Sequence, residues 1–292
     1  MMTYLRKVLK IGNSSLFITL PKPWCEKYSI NEGDIVEALE SYTGELILVP
    51  RKKEESEKTF YVKLEGLQSS YVEKILSYAY INGYTKLRIS YSNKKLFEDL
   101  KNLIESKFMG LILVSENENE AVFSFALDIN QVDFYEIIKR MDRITSFMID
   151  SISDRDKVKV MDAEVDKLYF LLIRMLRTGL TDSAIAKKLM LSPVQFLDYR
   201  LVLHFIETIG DELTSIAGKI SSEELEAVKR LKEISIMAFL GDKKVKPSDI
   251  EQVSKKAYSA LESAGPQIAL NISRIIEMAK DIADLSETLY LV

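Results

Sequence analysis

After Asn130 the apolar residues recur at three- and four-residue spacing almost to the C-terminus, whereas before it such stretches alternate with runs of strand character. This switch of period limits the fold more than any other feature. A stripe at 3.6-residue spacing is buried by other helices, whereas alternating residues need a sheet. The spacing predicts helices over 132–153, 156–178, 193–219, 222–240, 248–265 and 266–289. Upstream, "TFYVKLEG", "TKLRISY", "GLILVSE" and "AVFSFAL" read as strands, and "SSYVEKILSYAYING" and "KKLFEDLKNLIESK" as amphipathic helices, in the order β-α-β-α-β-β. Residues 1–50 read as short strands punctuated by Gly12-Asn13, Gly33 and Gly44, with one short helix after Pro21. The expected class is multidomain α+β: a small β domain at 1–53, a small α/β domain at 58–128 and an all-α bundle at 131–292. The charge run "RKKEESEK", Arg51 to Lys58, reads as a solvated linker.

Composition narrows the chemistry. Of 292 residues, 47% are hydrophobic and 29% charged, an ordinary globular balance. The most apolar run, "LYFLLIRML", is interrupted by Arg174 and is far shorter than a membrane span, and "MMTYLRKVLK" lacks the apolar stretch of a signal peptide, so the expectation is a cytoplasmic protein with no membrane span. One cysteine and one histidine exclude an internal disulfide and Cys- or His-rich zinc, leaving oxygen ligands for any metal. No glycine-rich phosphate loop follows a strand, which argues against nucleotide binding, and Tyr71, Tyr78, Tyr80, Tyr84 and Tyr91 read as core and surface of the α/β domain. "TDSAIAKKLMLSPVQF" has the rhythm of a helix-turn-helix, yet its second helix opens without basic residues and reads as an ordinary helix connection.

Two stretches carry resemblances. "RKVLKIGNSS", "ITLPKPW", "INEGDIVE" and "ELILVP", in that order, make residues 4–50 resemble the AbrB/SpoVT/MazE family of swapped-hairpin DNA-binding domains. The resemblance implies a dimer in which two chains interlace hairpins into one β-barrel. Independently, about fifty residues bury too little core to stand alone. Arg6, Lys7, Lys10 and Lys22 all precede the first acid of the chain, Glu26. With Asn13, Ser14 and Ser15 they are the expected contacts to double-stranded DNA.

The second stretch is "RLVLHFIETIGDELTSIA", with Arg200, Glu207, Gly210 and Asp211, preceded by "MDAEVDKLYFLL" with Asp162 and Asp166, and echoed by "NISRIIEMAKDIADLSE" with Glu277 and Asp281. These make 132–292 resemble PhoU, the phosphate-uptake regulator built of two three-helix repeats. Acids four apart share a helix face and repel. The resemblance implies that Asp162, Asp166, Glu207 and Asp211 hold divalent or trivalent metal ions, for which carboxylates suit Fe, Mn, Mg or Ca. A second set at Glu277 and Asp281 looks incomplete, because "DIEQVSKKAYSAL" puts Ser254, Lys255 and Lys256 where acids would be wanted. Thr208 and Glu212 replace the family's usual arginine and histidine, and His204 reads as a packed core residue rather than a ligand.

Together these imply a non-enzymatic, DNA-binding transcriptional regulator linked to phosphate homeostasis, since no residues have nucleophile-and-base spacing. The alternative is an adaptor that docks a phosphate transporter or signalling protein and uses the barrel only to dimerise. A carboxylate metalloenzyme is the third reading.

Overall fold

The computed structural model describes residues 3–12, 15–40, 44–50, 57–242 and 244–286. The chain divides into two units, 1–56 and 57–292.

In the first unit, β1 (Leu9–Ile11) and β2 (Ser15–Phe17) form an antiparallel hairpin with Lys10 opposite Leu16, and Gly12 opens its turn at φ +64°, a conformation that costs glycine nothing. A helix, α1 (Lys22–Tyr28), starts at the Pro21-Lys22-Pro23 step. β3 (Val36–Glu40) and β4 (Leu46–Pro50) make a second antiparallel ladder. The expected strands and helix are present, and among the described residues the two ladders are separate two-stranded sheets. Asn13, Ser14 and residues 51–56 of the linker lie outside the described residues.

The second unit begins with β5 (Thr59–Lys63), α2 (Ser69–Ile81), β6 (Lys86–Ser90), α3 (Lys94–Lys107), β7 (Leu111–Glu116) and β8 (Glu120–Phe125), the predicted β-α-β-α-β-β order. The sheet runs β5-β6-β8-β7, with β5 and β6 parallel and the other pairs antiparallel. Tyr80 and Tyr91 are buried in its core, and Tyr71 and Tyr78 are exposed.

The helices follow: α4 (Phe134–Asp150), α5 (Arg155–Gly179), α6 (Ser183–Leu189), α7 (Pro193–Ile216), α8 (Glu226–Phe239), α9 (Pro247–Tyr258), α10 (Ala260–Ser263) and α11 (Pro266–Asp284). α4, α5 and α7 pack on one another, as do α8, α9 and α11, and the two trios meet through α7 against α11 and α4 against α8. The predicted helix at 248–265 is split into α9 and α10.

The α/β layer and the helices have separate cores, yet they belong to one unit because α2 and α3 dock on α5. Arg174 fastens this junction. It is 2% exposed, donates to the carbonyls of Tyr80 and Tyr84 at 2.5 and 3.0 Å, and lies 3.8 Å from the Phe125 ring centroid. Burial lowers its pKa to about 10, so it stays charged at neutral pH. A buried charge survives only with such partners. Among the described residues no helix is long and apolar enough to cross a membrane.

Candidate functional site

The acids of α5 and α7 meet where these two helices pack. Gly210 explains how they come so close: a Cβ there would stand 3.1 Å from Asp162 Oδ1 and 3.7 Å from Val165. A glycine in a helix interior costs about 1 kcal/mol relative to alanine, and this one is offset by the close approach of α5.

Asp162, Asp166, Glu207 and Asp211 share one electrostatic environment. Burial and then the charges of Asp211 and Asp166 push Asp162 up to about 6. Glu207 is pushed up to about 7 by burial, with Asp211, Asp166 and Asp162 adding to it. Asp166 and Asp211 are raised as well, burial being the first cause in both. Partial burial is the first cause in all four, and the charges of neighbouring acids add to it. Among the described residues no group of three or more acids, histidines or cysteines is drawn up at metal-binding spacing. The donor chemistry fits a hard cation: four oxygen ligands that repel one another and ionise only reluctantly without positive charge.

Two cations border the cluster. Lys107, the last residue of α3, pairs with Glu73 at 2.6 Å, lies 4.9 Å from the Phe170 centroid and pulls the pKa values of Asp166 and Asp211 downward. Arg200 stands over the ring of Tyr169 at 5.6 Å. Sequence reasoning missed Lys107, because nothing in its local pattern distinguishes it from other surface lysines. Thr208 and Glu212 each have a local partner. The Thr208 hydroxyl donates to Glu207 at 3.3 Å, and Glu212 accepts from Arg274 at 3.1 Å and from Asn271, tying α7 to α11. His204 corrects the expectation of a core residue: its side chain is 51% exposed, with Nδ1 3.4 Å from Glu207, because position 204 falls on the outer face of α7.

Glu277 and Asp281 on α11 stand differently. Glu277 accepts from the Tyr258 hydroxyl and pairs with Lys280 at 3.3 Å, and these contacts hold its pKa below the usual carboxylate range. Asp281 is raised by burial and by Asp284. The helix that supplies acids to the first site has its counterpart in α9, which offers buried Ser254 and Lys255, the latter paired with Glu251 at 2.6 Å.

In the first unit Arg6, Lys7, Lys10, Ser15 and Lys22 are all exposed, Lys22 pairing only loosely with Glu26 at 3.7 Å. Lys10 lies on β1, Ser15 starts β2 and Lys22 begins α1. Leu5, Val8, Leu16, Ile35 and Leu46 are 60–89% exposed. So much bare aliphatic surface on so small a unit marks an interface.

Residues 9–56 match the model of the family described as antidote-toxin recognition MazE, bacterial antitoxin. No curated protein and no solved structure matches the chain. The match covers residues 9–56 of the N-terminal unit, which there resembles a MazE-type domain, the kind found in DNA-binding or antitoxin-like regulators.

Proposed function

We propose that the MazE-type domain at 9–56 makes this chain a dimeric, sequence-selective DNA-binding regulator, and that the acid cluster between α5 and α7 is its cation-responsive site. The observation that carries the first half is the coreless N-terminal unit: its exposed aliphatics need a second copy, and doubling it doubles the basic segment that holds Arg6, Lys7, Lys10 and Lys22. With Asn13, Ser14 and Ser15, these residues contact the duplex.

A hard divalent or trivalent cation, Fe, Mn, Mg or Ca, would be held by Asp162, Asp166, Glu207 and Asp211, supplying the positive charge that four crowded carboxylates lack. Glu277 and Asp281 take no part, since Tyr258 and Lys280 already satisfy Glu277. The link to phosphate uptake rests on the PhoU resemblance of 132–292. No step in this reading is a chemical reaction, and the regulator is not an enzyme.

The test is a salt titration by fluorescence anisotropy on a selected and a random duplex. Each phosphate contact contributes a slope of roughly −0.9 in log K against log salt. Lys10→Ala and Lys22→Ala should each weaken binding to both duplexes and flatten the slope by about one to two units in a dimer. Unchanged affinity and slope in the double variant, with the dimer intact, would favour the adaptor reading, in which the barrel only dimerises and the helices dock a phosphate transporter or signalling protein.

A further inference from the structure

The first half of α7 is apolar on its outer face as well as on its inner one. Phe196, Tyr199, Val202, Leu203 and Ile206 are buried against the bundle, while Val194, Leu197 and Leu201 are 64%, 71% and 41% exposed. The exposed three recur at spacings of three and four, which aligns them in one stripe along the helix. The stripe is rigidly presented. A reciprocal cap between Ser192 and Gln195 fixes the start of α7, and Met190, itself 71% exposed at φ +51°, ends α6 just before it. This is the stretch with helix-turn-helix rhythm. It does form helix, turn and helix, but its outward face offers aliphatic carbon where a DNA reader would offer donors and positive charge.

We infer that this stripe packs against the same stripe of a second copy, in antiparallel orientation. Two observations commit it to that occupant, and the inference rests on the dimer proposed above. A stripe made only of aliphatic side chains is complementary to itself under a two-fold axis and has nothing with which to select a charged partner. The coreless N-terminal unit already holds two chains together, and tethering raises the effective concentration of the second stripe to roughly millimolar. A contact well below the ~800 Å² per partner of a free-standing dimer then suffices.

The direction follows from charge. Continued at the same spacing, the stripe runs through His204 and Thr208 to Asp211. Parallel pairing would set each Asp211 carboxylate beside its twin at one end of the contact. Antiparallel pairing centred between Leu197 and Asp198 sets Val194 against Leu201 and brings the two Leu197 side chains beside the axis. It leaves the two acid clusters at opposite ends, about 40 Å apart at 1.5 Å per residue.

The experiment uses the full chain with its only cysteine changed, Cys25→Ser, and Leu197→Cys added. Phe147→Cys, 56% exposed on α4, is the control. Under mild oxidation by diamide, Leu197→Cys should convert mostly to a disulfide-linked dimer, at least tenfold faster than Phe147→Cys. In parallel, Leu197→Asp with Leu201→Asp should keep native helix content and remain a dimer in sedimentation, but with a larger frictional ratio as the bundles separate. A dimer in which Leu197→Cys links no faster than the control, or in which the aspartates leave the frictional ratio unchanged, overturns the stripe contact and leaves the N-terminal reading standing. A chain that sediments as a monomer and does not cross-link overturns both.

Discussion

Glu207 with Asp211 and Glu277 with Asp281 are the same four-residue acidic spacing on two helices of similar place in their trios, and the two glutamates are shifted in opposite directions. Glu207 is pushed up to about 7, and Glu277 is held below its ordinary value. The helix facing each pair makes the difference. Across from Glu207, α5 brings two more carboxylates; beside Glu277, Tyr258 at the end of α9 brings a hydroxyl and Lys280 an ammonium group. A carboxylate pair is a latent ligand set where its neighbours repel it and an ordinary surface ion pair where they satisfy it.

The sharpest way to break this comparison is to ask which pair takes up metal. Asp166→Ala with Asp211→Ala should lose Mn²⁺ binding by about 100-fold or more in calorimetry, since first-sphere losses exceed the 10–100-fold cost of losing a supporting contact. Glu277→Ala with Asp281→Ala should bind as the parent does. Equal losses in the two variants would erase the distinction.

Next in size is the response of stability to pH. Carboxylates whose folded pKa is raised bind more protons in the folded state than in the unfolded one. Their contribution is therefore full below the ordinary values of 3.8 and 4.5 and is lost as pH rises through about 6 for Asp162 and about 7 for Glu207. Metal-free protein should lose stability between pH 4.5 and 7.5 by an amount on the order of 2–3 kcal/mol. Saturating Mn²⁺ at 100 times its Kd should restore about 2.7 kcal/mol at pH 7.5. Thermal melts across pH with and without chelator read this directly, and a flat metal-free profile would contradict the crowding of the four acids.

Smaller still is the effect of neutralising one acid in each pair. Glu207→Gln should stabilise metal-free protein at pH 7.5 by about 1–2 kcal/mol, because it removes a repelled charge. Glu277→Gln gives up an exposed ion pair and should change stability by no more than about 0.5 kcal/mol, in the unfavourable direction. Opposite signs in urea melts support the contrast, and like signs refute it. The smallest expected effect on stability is that of Gly210→Ala. The gain of about 1 kcal/mol in helix propensity is offset by the displacement of Asp162, yet metal affinity should fall because a ligand has moved.

Much of this architecture is legible in the chain. The six helical stripes after Asn130, the mixed order of 59–127 and the hairpin at Gly12 appear where their periods place them, because period and turn chemistry are local properties. The predicted helix over 248–265 is instead divided at Ser259 into α9 and α10. The acid cluster was legible as two pairs, each on one helix face. Its supports were not. Lys107 reaches it from the α/β layer, and Arg174 holds that layer against α5 through carbonyls 94 and 90 residues away. Arg174 did leave a signal, as the one charge inside the most apolar run, since a lone arginine there must find buried partners.

The sequence by itself determined which residues share a face: Asp162 with Asp166, Glu207 with Asp211, Glu277 with Asp281, and Val194 with Leu197 and Leu201. It also determined that the first fifty residues lack a core. Only the tertiary structure decided what each face meets. Helix geometry ties side chains a turn apart whatever surrounds them, whereas pKa and burial depend on groups brought together by packing across long sequence separations. The same acidic spacing therefore became a half-buried cluster of raised pKa against α5 and, on α11, an exposed pair in which Tyr258 and Lys280 satisfy Glu277.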